Sequence, residues 1–331
     1  MIKHLKVPEK NAQEAKLFLE KSDALNDAFL PIKKEGYILW PLNFEVDGEI
    51  VTCEGLKSTR HSRDYRLLLP SKIRDLAPRA FDMFGDIGII RLSDESLEYS
   101  EIIAEALLKS HLNLKKVAID NGVKGEYRIR QLQMVIGESG FVSLHKENGF
   151  EFKLDISKVY FSPRLSMERS RIYNAVKPGE EVLDAFAGVC PFGVSLASKG
   201  CKVTAVDSNP DSEFWAHENF KRNKVSKLNY EFFCSKIEEI LPKLNSYDRI
   251  IMNSPTTSLD YLQLIAEKLR IGGVIHLYCI IEKEEDFKIN SYLNSDFNCV
   301  FERVVHPYSP TSSLVVFDIV KAGINVKETN Q

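Results

Sequence analysis

From about residue 160 onward, short apolar runs alternate with amphipathic stretches at helical spacing. That pattern predicts an open sheet of mostly parallel strands with helices on both faces. The strands are predicted at Glu181–Phe186, Lys202–Asp207, Asn229–Cys234, Asp248–Met252, Gly273–Ile281, Phe301–His306 and Leu314–Val320. Helices fill the first five gaps, at Phe192–Ser198, Asp211–Asn223, Ile237–Leu244, Leu259–Leu269 and Asp286–Leu293. The sixth gap holds only Pro307–Ser313, whereas a parallel crossover needs a dozen residues or more. The last two strands are therefore expected to form an antiparallel hairpin.

The first half has a different texture. A helix is predicted at Ala12–Leu19, with Ala12, Ala15, Phe18 and Leu19 at helical spacing, then strands at Tyr37–Leu42 and Glu49–Cys53. Next come a helix at Ser71–Phe81, a strand at Ile87–Leu92, a helix at Ser100–His111 and a strand at Lys116–Ile119. Strands at Tyr127–Ile136 and Glu151–Phe161 complete what reads as an α+β region. The expected organisation is a small αβ domain over 1–58, an α+β domain over 59–160 and the α/β domain over 161–325.

Composition narrows this picture. The 331 residues are 44% apolar and 27% charged, an ordinary globular balance with no long uncharged apolar run. The N-terminus lacks a signal-peptide pattern, so a soluble cytoplasmic protein without membrane association is expected. Six scattered cysteines with no C-x-x-C pair suggest neither a zinc site nor a disulfide framework, and no metal is expected. The net charge of −3 is unevenly spread, because residues 56–171 carry 20 Lys and Arg against 16 Asp and Glu. Arg60, Arg63, Arg66, Lys115, Lys116, Lys124, Arg128 and Arg130 contribute to that excess, which either meets phosphates or is a solvated surface.

The candidate chemistry lies at the strand ends. The first strand of the α/β region runs into Asp184-Ala185-Phe186-Ala187-Gly188-Val189-Cys190-Pro191-Phe192, and the second ends at Asp207-Ser208-Asn209-Pro210. Ligands of open α/β sheets lie across such carboxyl ends. Asp207 follows Gly188 by 19 residues, a spacing that brings a carboxylate to the ribose hydroxyls of an adenosyl cofactor. A pyrophosphate cofactor needs G-x-G-x-x-G for close backbone approach, and here Cys190, Pro191 and Phe192 crowd the helix start. S-adenosylmethionine has no pyrophosphate and needs only one tight-turn glycine. The fourth strand ends in Asn253-Ser254-Pro255. An Asn amide and the carbonyl before a proline-stiffened turn can hold an amide-like base edge, although Asn and Pro are also ordinary turn residues.

Several segments resemble the archaeal and eukaryal tRNA (guanine-37 N1)-methyltransferase family. They are Gly125–Arg130, His145–Gly149, Val159–Leu165, Glu168-Arg169, Asp184–Phe192, Ile251–Pro255 and Gly272–His276. The resemblance covers residues from about 110 to 320 and implies a Rossmann-like methyltransferase sheet, S-adenosylmethionine as cofactor, and tRNA as partner through its anticodon loop and body. A monomer is expected. The resemblance makes Glu168 the general base and places Arg128 near guanine O6. It puts Arg169, Phe186, Gly188, Asp207, Ser208, Ser235, Lys236 and Asn253 on the cofactor, and Tyr160, Arg164, Asn253 and Pro255 on the guanine side.

The chemistry of guanine agrees with that pairing. N1 carries a proton, so it becomes nucleophilic only when a base removes that proton while charge builds on O6. A carboxylate and an arginine are needed together. Ser162 and Pro163 are suited to begin a helix that sets Arg164 and Glu168 one turn apart, which from the residues alone reads equally as a surface ion pair. Arg128 and Arg130 are expected on one face of a strand. The sequence departs from the family pattern at Cys190, where relatives carry Gly, at Ser254, where they carry an apolar residue, and at Ser235, where they carry an acid. Three other readings stay open: carbon methylation of the wyosine precursor, a catalytically inert tRNA-binding relative, and a nicotinamide dehydrogenase.

Overall fold

The computed structural model describes residues 1–22, 24–26, 28–57, 64–284 and 287–323. Arg60 and Arg63 of the basic cluster, and Asp286 of the fifth expected helix, lie outside the described residues. The chain divides into two compact units, one of Met1–Arg79 with Leu92–Asn113, the other of Ala80–Arg91 with the chain from Leu114 onward. Expected boundaries at 58 and 160 cut across this division. The reason is strand pairing: Asp82–Phe84 and Ile87–Ile90 join Lys116–Lys124 in one sheet.

In the first unit, Ile2–Pro8 lies between Tyr37–Pro41 and Ile50–Cys53 in a four-stranded antiparallel sheet whose edge is Ile32–Lys34. The helix Ala12–Lys21 contributes Leu19 to a core with Leu5, Val7, Trp40 and Leu42. The strand Ile2–Pro8 escapes the periodicity analysis because His4 and Leu5, adjacent in sequence, are both buried. The helix expected over Ser71–Phe81 stops at Arg74. Pro78 has no N–H to continue it and disfavours helical geometry at the residue before it.

The second unit carries a four-stranded sheet ordered Ile129–Ile136, Lys116–Lys124, Ile87–Ile90, Asp82–Phe84, and a hairpin of Val142–Glu147 with Phe150–Asp155. That hairpin turns through Asn148 and Gly149, both at positive φ (48° and 82°). Asn-Gly between apolar runs is a strong short-range hairpin signal, and it identifies Val142–Glu147 as a strand that hydrophobic periodicity missed. The strand expected over Glu151–Phe161 ends at Asp155. There the carboxylate accepts from the N–H (3.0 Å) and hydroxyl (2.6 Å) of Ser157 and turns the chain.

Seven strands form the main sheet, ordered Tyr230–Cys234, Lys202–Asp207, Glu181–Asp184, Tyr247–Met252, Leu269–Glu282, Ser312–Lys321, Phe297–Pro307. The first five are parallel, and Ser312–Lys321 runs antiparallel to both neighbours. The fold is thus the expected α/β sheet, mostly parallel with its last strand antiparallel. One face packs Val194 and Phe220 from the helices Pro191–Ser198 and Pro210–Arg222. The other packs Ile237, Leu262 and Ile265 from the helices Ile237–Ile240 and Ser258–Ala266. The fifth expected helix is absent; among the described residues of that segment only a short 3-10 turn, Ile289–Tyr292, forms. Strand order reverses at Glu181–Asp184, whose chain neighbour pairs on one side and Tyr247–Met252 on the other, so a crevice opens at its carboxyl end. Among the described residues no helix is long and apolar enough to cross a membrane.

Candidate active site

At that crevice the chain after Asp184 makes a tight turn. Gly188 sits at φ 53° and its N–H donates to Asp207 Oδ2 at 2.7 Å. A Cβ there would meet nothing nearer than the Tyr160 carbonyl oxygen at 3.5 Å, so it is the left-handed backbone that calls for glycine. Cys190 adopts the same region at φ 58° with its side chain fully buried. This is the conformation that glycine takes easily and cysteine takes at a cost of about 1–2 kcal/mol. Asp207 Oδ1 accepts from the Asn209 N–H at 3.0 Å. Burial raises the Asp207 carboxyl pKa, and the two backbone donors oppose the shift. Asn209 also caps the helix Pro210–Arg222 and donates to the Lys158 carbonyl at 2.9 Å. The carboxylate is therefore fixed by main chain on both sides.

The fourth strand brings Asn253 to the same cavity, and its Oδ1 is buried without a hydrogen-bond partner among the described residues. A buried acceptor in that state is costly unless a ligand or water supplies the donor. Ser254 also lines the cavity, and its polar groups are engaged locally: its hydroxyl lies 2.7 Å from Thr257 Oγ1 and its N–H donates to Ser258 Oγ at 3.0 Å. The departure at Ser254 thus stiffens the turn that presents Pro255. Phe186 and Ser208 complete this wall.

The opposite wall comes from outside the parallel strands. Arg128, Tyr160, Leu165 and Arg169 line it, together with Tyr308 from the hairpin turn before the last strand. Arg128 is not on a strand with Arg130 as expected; it stands at φ 53° in the turn before Ile129–Ile136. Arg130 faces elsewhere and pairs with Asp82 (2.9 Å) and Asp120 (3.0 Å). Arg169 is clasped by Glu147 and also donates to the Ser162 carbonyl at 3.0 Å. Burial works to raise the Glu147 pKa, but hydrogen bonds from His145 and Arg169 outweigh it and leave it lowered.

The helix expected to start at Ser162 begins instead as a 3-10 turn, Pro163–Leu165, and becomes α-helical at Ser166, where Asn148 Nδ2 donates to the Ser166 carbonyl at 3.0 Å. A 3-10 turn has three residues per turn rather than 3.6, so Arg164 and Glu168 do not share a face. Arg164 is exposed and pairs with Asp82 at 2.9 Å. Glu168 is fully buried. Its Oε2 accepts from Tyr278 Oη and Arg171 Nε, both at 3.0 Å, while the other oxygen makes an ion pair with Arg303 but no aligned hydrogen bond. Arg171 continues to Asp318 at 2.5 Å, and Asp318 to His276 Nδ1 at 2.6 Å. Burial opposes it, yet His276 and Arg171 bring the Asp318 pKa down to about 2.

Comparison with known proteins identifies this arrangement. The TRM5/TYW2 methyltransferase domain matches residues 143–311, and the TYW2 N-terminal domain matches residues 66–140. The chain belongs to the TRM5/TYW2 methyltransferase family. Trm5b of Pyrococcus abyssi, named a tRNA (guanine(37)-N(1))-methyltransferase, is 38% identical over 279 residues, 83% of each chain. The crystal structure of that protein superposes with TM-score 0.75 at 33% identity over 98% of this chain and 100% of its own. The complex of aTrm5 with tRNALeu gives TM-score 0.71 at 28% identity, covering 97% and 99%. Methanocaldococcus jannaschii Trm5 in complex with adenosine gives 0.68 at 26%, again covering 97% and 99%.

Within this TRM5/TYW2 cavity the expected residues divide cleanly. Arg128, Tyr160, Arg169, Phe186, Gly188, Asp207, Ser208, Asn253 and Pro255 come together. Arg164, Glu168, Ser235 and Lys236 are not among its lining residues. Ser235 is exposed and bonded to Glu239 at 3.2 Å, and Lys236 pairs with Glu126 at 3.5 Å. Tyr308 was missed, although its signal was present: a turn joining the last two strands must lie at the carboxyl edge, where the crevice is.

Proposed function

We propose that this chain transfers a methyl group from S-adenosylmethionine to N1 of the guanine 3′ of the tRNA anticodon. The reading rests on membership of a methyltransferase family, on the named activity of its Pyrococcus relative, and on relatives solved with adenosine and with a tRNA. The observation that carries it is the meeting in one cavity of a main-chain-fixed Asp207, the unpartnered Asn253 Oδ1, and Arg128.

The cofactor supplies, when bound, an electrophilic methyl on a sulfonium. Asp207 would present carboxylate lone pairs to the ribose hydroxyls, and Gly188 and Phe186 would line the adenosyl group. Asn253 Oδ1 accepts from a purine N–H, and Tyr160 covers the base once it leaves its stack. Arg128 stabilises the charge that builds on O6 as N1 loses its proton. Glu168 receives that proton. It is fully buried and outside the cavity lining, so reaching N1 requires half-exposed Arg303 to release the carboxylate oxygen that it pairs with. The protein acts as a monomer on the anticodon loop and body of tRNA.

Labelled methyl transfer to unmodified tRNA transcripts differing only at the base 3′ of the anticodon tests this. Label on the guanine transcript alone is the expected result. Equal labelling of transcripts lacking that guanine overturns the reading, and label only on tRNA already carrying the tricyclic wyosine precursor reassigns the chemistry to carbon.

A further inference from the structure

Arg128 and Arg169 line the wall built from outside the parallel strands, Arg130 follows Arg128 by two residues, and the partners of the three differ in kind. Arg169 is held by the Glu147 carboxylate, and Arg130 by Asp82 and Asp120. Arg128 has no carboxylate ion pair among the described residues; its guanidinium donates to the phenol oxygen of Tyr308 at 2.5 Å. A carboxylate orients an arginine and cancels its charge, whereas a phenol orients it and leaves the charge whole.

The backbone beneath Arg128 shows that this orientation is imposed. Arg128 occupies the left-handed region at φ 53° in a turn closed by its own N–H to the Gly125 carbonyl at 3.2 Å. A non-glycine residue stays there only when its surroundings hold it. Glu126 ties one end of this turn to Lys236 at 3.5 Å, and Arg128 ties the other to Tyr308. Tyr308 stands on a stiff support: its N–H donates to the Ser312 carbonyl at 3.0 Å, and Ser309 Oγ accepts from the Thr311 N–H at 3.1 Å. Tyr160 lines the same cavity as Arg128.

We propose that Tyr308 is a positioning residue of the methyl-transfer site, holding the uncompensated Arg128 guanidinium where it meets the O6 edge of the target purine. The phenol accepts one N–H of Arg128, leaving the other donors of the fork and the full positive charge for an oxygen that becomes anionic as N1 is deprotonated. This proposal rests on the reading of the site as a guanine N1-methyltransferase.

The test is a double-substitution cycle of Tyr308→Phe and Arg128→Ala, read by single-turnover methyl transfer to the guanine transcript at saturating cofactor and tRNA. Calorimetry of S-adenosylmethionine binding accompanies each variant. Tyr308 is half exposed, so Tyr308→Phe is expected to fold and to bind cofactor as the wild type does. Its transfer rate is expected to fall ~10-fold and that of Arg128→Ala ~100-fold, in the range for loss of one charge-stabilising donor. The double variant is expected to match Arg128→Ala alone, because removal of the arginine removes what the phenol positions. An unchanged rate in Tyr308→Phe, or losses that multiply in the double variant, overturns the proposal while leaving the functional reading intact. A wild-type enzyme that binds cofactor but transfers no methyl to the guanine transcript overturns both.

Discussion

The two walls of the cavity, one at the ends of the parallel strands and one built from outside them, hold their functional groups by different means. On the first wall, Gly188, Asp207 and Asn253 sit at the ends of parallel strands, and backbone N–H groups fix the Asp207 carboxylate. On the second, Arg128 and Arg169 depend on side chains delivered by other elements, Tyr308 and Glu147, while buried Glu168, outside the lining, is held by Tyr278 and Arg303 from two strands and by Arg171 of its own helix. Main chain cannot be substituted away, so the Asp207 carboxylate keeps its donors whatever side chains surround it. The second wall relies on side-chain partners, a carboxylate at Arg169 and a phenol at Arg128, and loss of that carboxylate leaves a charge unpaired.

The largest expected effect lies behind the first wall. Asp184 is fully buried, neither oxygen has an aligned hydrogen bond among the described residues, and desolvation with Asp207 nearby raises its pKa to about 7 against the opposing pull of the Gly193 N–H. A carboxyl raised from 3.8 in the folded state contributes stability below the unfolded pKa and loses it as pH rises toward 7, by about 4 kcal/mol in all. Asp184→Asn is therefore expected to be more stable than the wild type at pH 8, with the advantage vanishing near pH 4. Urea unfolding at both pH values measures it, and a pH-independent difference would show that Asp184 is not the titrating group.

Breaking the second wall comes next. Glu147→Gln leaves Arg169, 3% exposed, without its counter-charge, and is expected to cost about 3 kcal/mol. Because the Glu147 pKa is lowered, its contribution is present above the unfolded carboxylate range and fades as pH falls through the folded value. The deficit of the Gln variant should accordingly shrink in acid, and a constant deficit in urea melts would reassign the effect to packing. Glu168→Gln keeps the side-chain shape and an acceptor for Tyr278 but removes the proton acceptor. Single-turnover transfer should slow ~100-fold or more with cofactor affinity kept; an unchanged rate removes Glu168 from the mechanism. The smallest effect belongs to Arg164, whose pair with Asp82 is half exposed. Arg164→Ala should change stability by less than about 1 kcal/mol and, if this side chain meets tRNA, raise KM without lowering kcat.

Much of the fold was legible because its signals are local. Burial on both faces writes continuous apolar runs, and the brevity of Pro307–Ser313 forced the antiparallel end of the sheet. The spacing from Gly188 to Asp207 follows from one strand–helix–strand unit and brings both to the same strand ends, where the structure adds a hydrogen bond that the spacing did not predict. Where the local signal was broken the reading failed, as at His4-Leu5 in the first strand and at Pro78 in the shortened helix.

The amino-acid sequence by itself determined the sheet, the carboxyl edge where the cavity lies, and the arrival of Gly188, Asp207 and Asn253 at that edge, because each depends on residues within about one structural unit of one another. Tertiary structure alone decided the opposite wall. Arg128 and Tyr308 lie 180 residues apart, and Glu168 and Tyr278 lie 110 apart, so no periodicity along the chain encodes their meeting. Arg128 in a left-handed turn, Glu168 buried among arginines and Arg164 turned outward are all consequences of which strands pair and how one helix begins. The charges of those side chains are written in the sequence; their freedom or neutralisation is set by the partners that folding brings to them.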